Sequence, residues 1–389
     1  MSALTLRVAV TAFTPLAGRI GHDIGYSTAV VGVFGMLPTA MFALGGLITP
    51  IISRRLGLEM TALVAMLMTG VGQVLRAIVP NTWELLAFSA FALAGMGIGN
   101  IVIPPLVKRY FSDRLAVLSS VYIVMVQLGT VFPALITVPM ADAHGWRLSV
   151  GMWAALAFAA ALPWIAVLRV RRQRALVDTT ELASEASVLP SGATESGKVW
   201  RSPLAWGMAF MFGMTSLITY SLFTWMPTIF SDAGASASFG GSMVGIFALI
   251  GLVAALGAPV VVGRMANPFP VVIGCAVFFL IGFAGLLFAP MAAPLLWVLA
   301  LGLGPSTFPM ALTLINLRTR TGAGSASLSG FTQGVGYSVA CLGPLVFGAL
   351  HSMTGGWLAP FGFLVLAVVV LIVGGWVACK PQLLEDTWN

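Results

Sequence analysis

The chain has 389 residues, of which 59% are hydrophobic and 8% charged, with a net charge of +7 and a mean hydropathy of +1.01. Water-soluble domains carry about 25% charged residues, so this composition excludes a soluble globular fold. The apolar stretches approach the ~20 residues that cross a bilayer core and show no period-two alternation, so they predict helices and not barrel strands.

Apolar length and turn punctuation predict twelve spans. The first, 1–20, holds Arg7 in the otherwise uncharged run MSALTLRVAVTAFTPLAG. It lacks the separate charged region, short apolar core and cleavage site of a signal peptide. Five more follow at 27–52, 58–79, 83–107, 115–140 and 147–169. Arg169 to Arg201 is the longest polar stretch, rich in Ser, Thr and Glu and without periodicity, and reads as a linker. The remaining spans are 203–230, 239–263, 270–289, 294–316, 323–350 and 357–379. The expected organisation is a six-helix bundle at 1–169, a cytoplasmic linker at 170–200, a second six-helix bundle at 201–380 and a cytoplasmic tail at 381–389.

Orientation follows from the basic residues. With both termini in the cytoplasm, only Arg19, Arg76 and Arg147 of the nineteen Lys and Arg fall outside, and Arg7 lies within a span. The other fifteen are internal. A cytoplasmic membrane protein with both ends inside is therefore expected, and the basic pI of about 9.8 reflects that asymmetry, with no nucleic acid implied. Cys275, Cys341 and Cys379 lie in or at the end of apolar runs without metal-ligand spacing, as small buried hydrophobes do. Neither metal nor cofactor is expected.

The two halves echo each other. GIGNIVIP (Gly97–Pro104) returns as GLGPSTFP (Gly302–Pro309), and VGVF (Val31–Phe34) as VGIF (Val244–Phe247). Pro15 and Pro227 precede the latter pair by sixteen and seventeen residues. Corresponding spans run in the same direction, so the expected fold is all-α, with twelve transmembrane helices in two parallel-repeat bundles and a substrate path between them. By this register about ten residues are missing before the first span relative to the seventh. The glycines of both motifs read as close-packing devices, not as a nucleotide loop. No Walker signature is present, so ATP is not an expected partner.

Further stretches carry a family likeness: ALTLR (Ala3–Arg7), VIPPLVKRYF (Val102–Phe111), WMP (Trp225–Pro227) followed by DAGAS, and FTQGVGY (Phe331–Tyr337). Together they resemble the cyanate/nitroimidazole permease branch of the major facilitator superfamily. The resemblance implies alternating access for a small polar or anionic solute, or export of small heteroaromatic compounds. It also implies a gate loop between spans two and three with an aspartate just before Arg-x-Gly. Here that loop reads SRRLGLE: Arg55 and Gly57 match, while Arg54 takes the acidic position and puts the usual latch in doubt.

Candidate residues were sought by depth. By this topology all twelve Asp and Glu fall in loops or at span ends, and His22, His144 and His351 fall outside. Proton carriers in membranes are buried carboxylates or histidines, so strict side-chain proton coupling is not expected; Glu84 near the outer mouth is the nearest to a carrier. Arg7 lies about fourteen residues from the outer end of its helix, roughly 21 Å at 1.5 Å per residue. It either snorkels to the cytoplasmic interface or faces the central cavity as a fixed cation for an anionic solute. The lack of a carboxylate at its depth favours the second. Thr11, Asn100, Gln127, Thr219, Tyr220, Gln333 and Tyr337 are polar at matching depth and complete the candidate substrate site. Arg76 reads either as an entrance charge or as a partner of Glu84. A non-transporting sensor would need an effector domain, and an enzyme would need buried catalytic groups; neither is visible. The expected partners are the solute and the bilayer, and the protein is expected to act as a monomer.

Overall fold

A computed structural model describes residues 1–111, 115–177 and 199–387. All elements among them are helical. The first segment is α1 (Ser2–Thr11), a 3-10 turn at Thr14–Leu16 and α2 (Ala17–Ile24). Pro15 sits in that turn, where it lacks the N–H that would continue an α-helix. Next come α3 (Thr28–Leu56), α4 (Leu58–Ile78), α5 (Thr82–Tyr110) and α6 (Leu115–His144). The short α7 (Trp146–Gly151) leads into α8 (Ala154–Val177). The second half has α9 (Pro203–Asp232), α10 (Ala237–Gly263), α11 (Phe269–Phe288), a broken tenth segment of α12 (Pro294–Leu303) and α13 (Thr307–Leu317), a broken eleventh of α14 (Gly322–Ala340) and α15 (Leu342–Thr354), and α16 (Leu358–Ala378).

Eleven of these segments are long and apolar enough to cross a membrane. The first becomes the twelfth crossing because its break at Pro15 shortens each helical piece without ending the segment. Side chains supply several helix starts. Asn81 accepts from the Glu84 amide (2.9 Å), Ser236 from that of Phe239 (3.2 Å), and Thr321 from that of Gly324 (2.9 Å). Each meets one of the four donors that a helix N-terminus leaves unbonded. Outward-facing Leu366, Val369 and Val373 of α16 stay exposed, as a helix face against lipid tails should.

The repeat is visible in packing. Across the halves, α3 packs on α14 and α15, and α6 packs on α10; exchanging halves maps one pair onto the other. The motif glycines let backbones touch. A Cβ on Gly95 or Gly97 would lie 2.6 Å from the carbonyl oxygen of Ala65 or Met41, and one on Gly302 would lie 2.6 Å from the Ile250 side chain.

Twelve crossings return the chain to the face it started from, called here the terminal face; the other is the distal face. At the distal face Asp23 accepts from Trp146 (2.8 Å) and Arg147 (2.9 Å), and Arg19 pairs with Asp142 (2.6 Å). The hydrogen bond from Trp146, with Arg147 behind it, holds the Asp23 carboxyl below the usual carboxylate range.

Two sequence expectations change at the terminal face. The linker expected at 170–200 is helical through Val177 and resumes as a 3-10 turn at Val199–Arg201; 178–198 lies outside the described residues. The tail at 381–389 is bound to the second half through Thr387. Leu384 is buried, its amide donates to the Arg318 carbonyl (2.8 Å), and Glu385 accepts from the amides of Arg320 and Thr321 (2.9 and 3.1 Å).

Between α3 and α4 the chain turns at Gly57, with φ 79° and ψ 162°. That region belongs to glycine, and a side chain there costs about 1–3 kcal/mol. Gly57→Ala is therefore expected to lower the apparent Tm of the purified protein in detergent. An unchanged Tm would show that the turn relaxes freely.

Candidate functional site

The centre of the molecule is built from α1 and α3 of the first half and α9 and α14 of the second. Helix α9 is buried along most of its length. Arg7 Nη1 donates to the Tyr220 hydroxyl. The same guanidinium carbon lies 4.8 Å from the Phe42 ring centre and 6.0 Å from that of Tyr220. Tyr337 joins this centre through its contact with Phe42. Phe42 stands edge-on to Tyr220 and Tyr337 (6.4 and 5.8 Å), so the cation is boxed by aromatic rings and a hydroxyl. A ring face attracts a cation through its quadrupole but supplies no counter-charge.

Arg7 thus points across the halves. The bond to Tyr220, which occupies the register position of Arg7 in the second half, turns the side chain toward that half and away from the snorkelling alternative. Arg7 remains half-buried despite its depth.

Only part of the remaining candidate set converges here. Thr11 is buried and turns its hydroxyl onto the Arg7 carbonyl (3.3 Å), and Thr219 bonds the Thr215 carbonyl (2.7 Å). Both satisfy their own helix, a common fate of threonine in apolar helices. Gln127 donates to the Ala248 carbonyl (2.9 Å) and so ties α6 to α10 across the halves. Gln333 donates to Ser329 (2.8 Å) one turn away. Asn100 is half-buried in α5. Phe42 belongs to the site and was not singled out from sequence. A phenylalanine in an apolar run gives no signal of its own.

Arg76 neither pairs with Glu84 nor stands exposed at the mouth. Its side chain is 1% exposed, donates to the Ala9 carbonyl (2.9 Å) and places its guanidinium 5.8 Å from the Phe13 ring centre. Glu84 is exposed in the first turn of α5, so the Arg76–Glu84 pair does not form and Glu84 has no carrier position. In the gate loop Arg55 is exposed, and the side chain of Arg54 lies outside the described residues. The acid of this turn is Glu59, two residues past Gly57. It is 2% exposed and accepts from Tyr110 (2.8 Å), with Arg171 and Arg109 at 3.1 and 3.5 Å.

A bundle of twelve crossings in two related halves, meeting around a half-buried cation, defines a many-helix membrane transporter. The model of the Major Facilitator Superfamily matches residues 1–344, and the chain belongs to that family. It is 29% identical over 377 residues to the 2-nitroimidazole transporter of Escherichia coli (strain K12), covering 96% of this chain and 92% of that protein. It is 26% identical over 373 residues to the cyanate transport protein CynX of the same organism, covering 95% and 93%. Among solved structures, a bacterial homolog of the human lysosomal transporter Spinster, inward-facing and occupied, aligns with a TM-score of 0.74 at 15% identity, covering 100% of this chain and 96% of that one. The inward-open xylose transporter XylE of E. coli aligns with a TM-score of 0.73 at 12% identity, covering 99% and 96%. The protein is a transporter of a small solute and not an enzyme.

Proposed function

We propose that the chain moves a small polar or monoanionic solute, cyanate-like in size and charge, across the cytoplasmic membrane, with Arg7 as its central contact. The terminal face is the cytoplasmic one in this reading, which the excess of basic residues on that side supports. The two bundles rock against each other about the site, joined by the segment between α8 and α9.

The observation that carries the proposal is the state of Arg7. A guanidinium at this depth has a tyrosine hydroxyl and ring faces for company, and an arginine deep in a bilayer costs about 2.5–3.5 kcal/mol on insertion scales. A monoanion bound there would lower that cost and would be held by the planar fork in a fixed orientation. It would compete with the Tyr220 hydroxyl, which spans the same junction between halves. Occupancy would thereby be coupled to how the halves meet. The name of the cyanate relative points the same way.

The rings of Phe42, Tyr220 and Tyr337 also suit a flat heteroaromatic solute, and the nitroimidazole relative lends weight to that second reading. Counterflow in proteoliposomes separates the two. Cyanate, thiocyanate and nitrite loaded inside are expected to accelerate uptake of labelled thiocyanate. Exchange confined to 2-nitroimidazole and other heterocycles would replace the first reading with the second.

A further inference from the structure

A cavity lies on the distal side of the central site, lined by Phe13 and Thr14 of the first segment, Gly35 of α3, Arg76 of α4, Ser89 of α5 and Thr224 of α9. Its volume is about 20 Å³, with further open space at its mouth. Its level is set by the two helices it shares with the Arg7 box. Thr224 is one turn beyond Tyr220, and Gly35 two turns beyond Phe42, so the cavity sits about 5–11 Å nearer the distal face. A Cβ on Gly35 would run into Thr224, and one on Gly32 would lie 3.0 Å from the Pro344 carbonyl. The halves therefore close over the cavity on its distal side.

Its polar lining has one sign. Arg76 spends Nη1 on the Ala9 carbonyl, while its Nε and Nη2 are buried without a partner. The hydroxyl of Ser89, itself buried, also lacks one. Thr14 and Thr224 donate to carbonyls on their own helices. No carboxylate lines the cavity, and among the described residues the buried acid is Glu59, at the opposite face. Leaving buried donors unmet is costly, and more so when the group is charged. Water could meet the hydrogen bonds but not the charge.

We propose that Arg76 and Ser89 form a second anion subsite. It would take the same class of small monoanion as Arg7, one to two turns nearer the distal face, and hold the solute between that face and the central site. The link to transport rests on the proposed role of Arg7; the anion site itself does not. The bond to Ala9 fixes the fork, Nε and Nη2 supply two donors, and Ser89 adds a third. Such a site favours a slim acceptor-rich anion over a neutral ring.

Equilibrium dialysis of radiolabelled thiocyanate against the purified full-length protein, at constant ionic strength, counts the sites. Wild type is expected to bind two anions per chain and Arg7→Gln one. Ser89→Asp, whose carboxylate gives Arg76 an internal counter-charge, is expected to bind one, and the double variant none. Undiminished binding by Ser89→Asp, or none by Arg7→Gln, overturns the second site. Loss of one anion in Ser89→Asp with no loss in Arg7→Gln keeps the distal subsite and removes the central role of Arg7. If Ser89→Asp does not elute as folded, monodisperse protein, Ser89→Met fills the same space without charge and is held to the same counts.

Discussion

Replacing Arg7 with alanine is expected to slow solute exchange roughly 100-fold, the loss of about 2–3 kcal/mol that hydrogen bonds to a charged group supply. Arg7→Lys keeps the charge but loses the planar fork and the stacking on Phe42, so it should retain part of the activity. Tyr220→Phe removes the hydroxyl that accepts from Arg7 while keeping the ring and the guanidinium, so exchange should fall by less than in either Arg7 variant. The order expected in counterflow is therefore wild type, Tyr220→Phe, Arg7→Lys, Arg7→Ala. Folding is not expected to confound this order, because removing the half-buried Arg7 takes a charge out of the interior without orphaning a carboxylate. Exchange by Arg7→Ala at the wild-type rate would remove Arg7 from the mechanism.

Arg7 could be read from sequence because charge in an apolar run needs a reason, and Tyr220 because the repeat places it at the same register. Depth alone served less well. Thr11 and Thr219 have the right depth, but a threonine in a helix can return its hydroxyl to the carbonyl four residues back. Gln127 has the right depth too, yet its amide is spent on Ala248. Arg76 was misplaced because its position near a span end suggested the outer mouth. Its direction is set by α1 packing beside α4, which offers the Ala9 carbonyl and the Phe13 face. That is tertiary information. The first span was legible to residue 20, but its break at Pro15 and its continuation to Ile24 were not, because His22 and Asp23 look like loop residues. Glu59 escaped notice for a related reason. A carboxylate at the start of a span ordinarily faces water, and its three partners come from helices far away in the chain.

Those partners carry the second prediction of large effect. Glu59 joins α4 to Tyr110 and Arg109 at the end of α5 and to Arg171 near the end of α8. The burial is lopsided: the Glu59 side chain is 3% exposed, while those of Arg109 and Arg171 are 41% and 43% exposed. Removing the acid leaves two arginines that can turn to water. Removing both arginines leaves a carboxylate inside with, among the described residues, one tyrosine hydroxyl, and an orphaned buried charge costs about 3–5 kcal/mol. Arg109→Ala combined with Arg171→Ala is therefore expected to lower the Tm more than Glu59→Ala does. Each arginine variant alone should cost no more than about 1 kcal/mol, since the other arginine remains paired and both are partly solvated. The three helices all belong to the first half, so the cluster stiffens that half and does not latch the two halves together. Thermal unfolding in detergent and counterflow on the same preparations test both statements: Glu59→Gln should lose stability while its exchange rate stays near wild type at a temperature well below unfolding. A variant that keeps its Tm but exchanges several-fold faster or slower would make Glu59 part of the gate, at the turn where Arg54 replaces the expected acid.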